Sequence, residues 1–192
     1  MSVAELPVKD RRRQWNRDQL NQQRQQERDI EIRSCENRRR RSRRERDVFL
    51  WLRSYMGDLF FDPFTDDQKS MAQAILDAAQ YGGDQAIAAE RSGGKSAITE
   101  GVTIYCICRG ILRFPLIVAA TGTHADQILD NIKGNFEEND VLAVDYPEIC
   151  DPIRALEGAP QRCKMQTVAG KRTMMRWSGQ AVKFPTVPGS PA

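Results

Sequence analysis

Histidine is nearly absent from this sequence, His124 being the only one. The five cysteines (Cys35, Cys106, Cys108, Cys150, Cys163) contain no Cys-x-x-Cys pair. Together these shortages exclude the usual zinc spacings, which draw on clustered Cys and His. An odd number of thiols in no framework reads as reduced cysteine in a cytosolic protein. The longest apolar run, near residues 102–108, is far short of the roughly 20 residues that span a bilayer. No membrane association is expected. The first residues carry no apolar stretch of the leader type, so no secretory signal is expected. Apolar residues make up 40% of the 192, a low share for a fully packed chain. Part of the chain is therefore expected to lie outside the core.

Charge is plentiful and unevenly placed. Residues 1–47 hold 15 Lys and Arg against 9 Asp and Glu, while the remainder holds 14 against 17. A basic segment on a slightly acidic body points to a polyanionic partner for that segment alone. Its residue types favour helix, but Trp15, Leu20, Ile30 and Ile32 build no sustained apolar stripe. Residues 1–47 are expected to form an Arg-rich extension, helical or disordered. It either contacts DNA or RNA or is a solvated extension with no specific partner, since arginine runs attract polyanions in any case.

Composition changes at Val48. VFLWLRSYMGDLFF reads as an amphipathic helix broken at Asp62-Pro63. Thr65 and Gln68 form a capping-box pattern. Met71, Ala72, Ile75, Leu76 and Ala79 then follow at helical spacing as far as Tyr81-Gly82-Gly83. QAIAA (85–89) and PLIVAA (115–120) read as buried strands, with a helix over 96–109 between them. A further helix puts Ala125, Ile128, Leu129, Ile132 and Phe136 on one face. Residues 138–170 look less regular, and two short strands meet at Ser178-Gly179. Strands alternating with helices predict an α/β fold with a parallel sheet covered by helices on both faces.

The chemistry concentrates at AERSGGKS, residues 89–96. The phosphate-binding loop pattern GxxxxGK[ST] is met in Gly94-Lys95-Ser96, with Ala89 in place of the first glycine. Gly93 and Gly94 let backbone N–H groups turn toward phosphates. The helix that follows adds its positive end. Lys95 is placed to reach the β- and γ-phosphates of ATP, and Ser96 to ligate Mg²⁺. Glu90 and Ser92 complete the cradle. Arg91 is a candidate for contacting the γ-phosphate from within the same chain, or else a surface arginine. Gln68 is a candidate for the adenine edge and Phe64 for the ring face, against the capping-box role already noted. The plain alternative for the loop is a glycine-rich turn with an accidental Lys-Ser.

These residues resemble the deviant Walker A motif of phage terminase large subunits, whose loops often lack the first glycine and carry an internal arginine like Arg91. Gln68 is similar to the adenine-binding glutamine of that family. Residues 139–158 and the segment ending MRWSGQAVKFP match by general pattern only. The resemblance covers roughly residues 48–189. It implies a P-loop NTPase of the ASCE type, binding ATP and Mg²⁺ and driving double-stranded DNA into a capsid, with Lys95 and Arg91 as catalytic groups. It also implies a capsid portal and a small terminase subunit as partners, a homo-oligomeric ring, and a phage-encoded or prophage-derived chain in a bacterial cytoplasm.

One departure stands out. A motor of this kind needs a Walker B strand ending in Asp-Glu. Residues 141–145 (VLAVD) offer Asp145, followed by Tyr146 instead of Glu. The alternative for Asp145 is a surface-loop carboxylate. Residues 48–192 thus read as the N-terminal portion of an incomplete ATPase domain, with weak or no hydrolysis. Two other readings remain: a helicase-like ATPase acting on nucleic acid, and a nucleic-acid-binding accessory protein whose loop is vestigial.

Overall fold

Most helices of this protein begin on a side chain that accepts an otherwise unpaired backbone N–H. Asn37 caps α1 (Arg38–Arg44), and Asp47 caps α2 (Val48–Tyr55). Thr65 caps α3 (Asp66–Tyr81) through the reciprocal capping box with Gln68 that the sequence predicts. The next helix, α4 (Lys95–Cys108), begins at Gly94 with no side-chain cap. Thr121 caps α5 (Gly122–Glu138), Asn139 caps α6 (Asp140–Asp145), and Pro147 opens α7 (Pro147–Arg154). The computed structural model describes residues 12, 14–19, 29–90, 93–112 and 114–187.

The centre of the core is α4. Ile98, Val102, Ile104, Tyr105, Cys106, Ile107 and Cys108 are all buried, so the helix is covered nearly all round. It packs against α2, α3 and α5, while α6 and α7 close the far side over α2 and α5. Gly101 permits the α2 contact: a Cβ there would lie 2.7 Å from Leu52 Cδ2. Trp51, Leu52, Phe136, Leu142, Tyr146, Ile149, Ile153 and Leu156 fill the remaining interior.

The expected α/β fold with a parallel sheet is not found. The molecule is mainly helical, and its sheets among the described residues are two antiparallel pairs. Thr167–Val168 (β1) pairs with Lys171–Arg172 (β2), and Arg176–Trp177 (β3) with Val182–Lys183 (β4). The second pair turns at the Ser178-Gly179 predicted from sequence. A parallel bridge, Asp29 to Thr167, stands isolated. Residues 85–89 and 115–120 are not strands and join no ladder. The physical reason is that a strand requires a hydrogen-bonding neighbour, and neither segment has one among the described residues. Helices packed around α4 form the core instead, and Leu116 and Val118 stay exposed.

Residues 138–170, expected to be irregular, form α6, α7 and a 3-10 helix over Pro160–Met165. None of the described helices is long and apolar enough to cross a membrane.

Candidate functional site

The loop ahead of α4 closes tightly on itself. Gly93 N donates to Glu90 O at 3.3 Å. Gly94 takes a left-handed conformation, φ 79° and ψ 13°, which a glycine adopts without steric cost. Lys95 folds back, and its Nζ donates to the carbonyls of Ala89 (2.6 Å) and Glu90 (2.5 Å). Ser96 is exposed in the first turn. Among the described residues no side chain caps the first N–H groups of α4, the kind of helix start that can receive an anionic acceptor. Arg91 and Ser92 lie outside the described residues.

The structure brings Gln68 to this loop across 26 positions of sequence. A Cβ on Gly94 would lie 3.2 Å from Gln68 Nε2. The same carboxamide serves the capping box through its oxygen, which accepts from Thr65 N at 3.1 Å. One end of the side chain thus caps α3 while the other faces the loop. Phe64 is half-buried beside Phe49 and Phe60, with ring centroids 5.1 and 5.4 Å away. Its ring belongs to that aromatic cluster.

Among the described residues of the loop, the Ser96 hydroxyl is the group that would meet a metal accompanying nucleotide. Ser96 is exposed and makes no side-chain hydrogen bond among the described residues. This fits Mg²⁺, which keeps most of its waters and takes phosphate oxygens alongside one or two protein groups.

Asp145 belongs to a different centre. It is the last residue of α6, fully buried, and neither on a strand nor in a surface loop. Arg40 holds both its oxygens, with Nη2 2.6 Å from Oδ1 and Nε 3.1 Å from Oδ2. Arg44 Nη1 (3.2 Å) and the Tyr55 hydroxyl (2.6 Å) donate to Oδ2. Burial pushes the Asp145 carboxyl upward, but the hydrogen bonds from Arg40 and Tyr55, with the two positive charges, outweigh it and leave it below its ordinary value. Burial first, and then Asp145, drive the Tyr55 hydroxyl well above its ordinary range.

Beside this pair, Arg41 stacks on the Tyr146 ring at 4.1 Å and reaches Glu148 Oε1 at 2.7 Å. The Tyr146 hydroxyl accepts from Trp51 Nε1 (2.9 Å) and donates to Glu45 Oε1 (3.0 Å). Contacts therefore cross the position 47 boundary drawn from sequence: α1 is bound to α2, α6 and α7 through arginines and tyrosines. A uniform RRRRSRR stretch has no apolar stripe to reveal which arginines face inward. The cues are two glutamates at helical spacing, Glu36 one turn before Arg40 and Glu45 one turn beyond Arg41.

No protein-family model, curated protein or solved structure matches this chain.

Proposed function

We propose that this protein binds a nucleoside triphosphate at the loop preceding α4 and acts on double-stranded DNA. The terminase-type packaging motor is the context in which the loop's residues make most sense. In this reading Lys95 leaves the Ala89 and Glu90 carbonyls for the β- and γ-phosphates. The uncapped N–H groups of α4 receive phosphate oxygens, and Ser96 joins Mg²⁺. Glu90 and Gly93 shape the turn.

The observation that carries the reading is the meeting of Gln68 with Gly94. A lysine on a glycine-rich turn is common. A second polar side chain, delivered to that turn by another helix and keeping donors on its loop-facing end, supplies what a base edge needs.

The test is titration of a fluorescent ATP analogue with Mg²⁺ into the parent chain and into Lys95→Ala. Saturable binding that Lys95→Ala weakens at least tenfold supports the assignment. Equal affinity in the two chains overturns it. A second reading, a nucleic-acid-binding protein whose loop is vestigial, is favoured by the exposed arginines of α1. No analogue binding to the parent, with DNA binding retained, would select it.

A further inference from the structure

The short helix α1 sorts its arginines onto two sides. Arg40, Arg41 and Arg44 turn inward to Asp145 and Glu148 and to the rings of Tyr55 and Tyr146. Arg38, Arg39 and Arg43, with Arg46 in the turn beyond, are exposed. None of these four forms an ion pair among the described residues.

We propose that this outer face of α1 grips the phosphate backbone of double-stranded DNA. The inference rests on the DNA-handling part of the reading above and is independent of the nucleotide loop.

Three features select this partner. First, the groups are guanidinium ions, whose planar fork suits phosphate oxygens two at a time. Second, they are spaced for it. At about 1.5 Å of rise per residue, Arg38 to Arg43 covers about 7.5 Å, over which each strand of a duplex presents about two phosphates, and Arg46 extends the row into the turn beyond. Third, the outer face holds only arginines and Ser42. It offers no apolar side chain to enter a bilayer, as a membrane-surface helix would. The acidic groups close by are already engaged: Glu36 pairs with Arg40, and Asp47 caps α2.

The inward arginines make the outward ones effective. Asp145 and Glu148 hold α1 in place, so binding does not have to order the helix first.

The experiment measures fluorescence anisotropy of a labelled 30-base-pair duplex of arbitrary sequence, titrated with the full chain at several salt concentrations. It compares the parent with a variant carrying Arg38→Gln, Arg39→Gln, Arg43→Gln and Arg46→Gln. The expected result is at least tenfold weaker binding at moderate salt. The slope of log affinity against log salt should become shallower by about 3, at about 0.9 per phosphate contact. Thermal melting by circular dichroism checks that the variant is folded. If it is not, Arg39→Gln and Arg43→Gln are measured singly, each with a slope change of about 0.9.

Unchanged affinity and slope in the folded variants overturn the proposal. So does polyglutamate competing as well as duplex DNA at equal charge, which would identify an acidic polypeptide as the partner. Failure of the nucleotide reading shows instead as a parent chain that binds no ATP analogue, so the two failures are distinguishable.

Discussion

Arg40 grips Asp145 at both carboxylate oxygens across 105 positions of sequence, and the carboxylate is fully buried while the arginine is a third exposed. A buried charge held this way contributes little over an apolar pair, but is costly to leave with one partner missing. Asp145→Ala strands Arg40 and Arg44 against the core edge. It should destabilise the protein by about 3 kcal/mol, read as a lowered denaturant midpoint. A midpoint within error of the parent would show that the pair is idle.

The same pair sets an acid limit. The Asp145 carboxyl lies below its ordinary value of 3.8 in the folded state. Its contribution is therefore fully present above that value and is lost as pH falls through the lower, folded one. Stability curves of the parent and Asp145→Asn should run parallel at neutral pH and converge below about pH 4. Parallel curves down to pH 2 would contradict the assignment.

Gly94 should resist substitution for two separable reasons. Its φ of 79° is unfavourable for any residue with a Cβ, and that Cβ would meet Gln68 Nε2. Gly94→Ala should cost about 1–2 kcal/mol from the backbone alone. Repeating it in a Gln68→Ala background removes the collision and leaves the backbone cost. Thermal melts of the four chains separate the two parts.

At Gly101 competing effects decide the sign. Alanine improves helix propensity by about 1 kcal/mol, and its Cβ presses on Leu52 Cδ2 inside a closed core, a cost of about 1–3 kcal/mol. Gly101→Ala should therefore be mildly destabilising. Gly101→Val adds two more carbons and loses the propensity gain, so it should be worse by 2 kcal/mol or more. Urea denaturation of both variants tests the order.

The thiols should fall into two groups. Burial pushes Cys106 up to about 11 and Cys150 up to about 12, and Cys108 well above its ordinary value. Cys163 is also raised by burial, whereas Cys35 is half-buried. With a chromogenic disulfide reagent at pH 8, one thiol should react quickly and the rest only on unfolding. Rapid release of three or more equivalents would contradict the packing around α4.

Local signals in the sequence were reliable where the answer depended on adjacent residues. The Thr65–Gln68 box and the Ser178-Gly179 hairpin are both present. The break at Val48 marks the start of α2. The sequence offers Gln68 only as a candidate for the adenine edge; its approach to Gly94 comes from the packing of α3 beside the loop. The expected sheet rests on apolar runs of five or six residues, a length at which periodicity alone does not establish a strand. Pairing is a relation with a distant partner, and residues 85–89 and 115–120 carry no record of whether one exists. Asp145 was hidden for a similar reason. VLAVD reads equally as strand or helix, and only Arg40, Arg44 and Tyr55 meeting it in space make it a structural anion.

The unpaired extension after α4 affects how the protein behaves at high concentration. Phe114, Leu116 and Val118 are 86%, 76% and 82% exposed, while Ile117 between them packs on the core. A segment whose backbone joins no ladder among the described residues, with apolar side chains outward, is a template for strand-to-strand growth between molecules. Pro115 interrupts it at one end only. Self-association should therefore rise steeply with concentration and resist salt, and a single lysine at Leu116 or Val118 should suppress it. Purification yield would then be governed by five residues, 114–118, that belong to neither the loop nor the arginine helix.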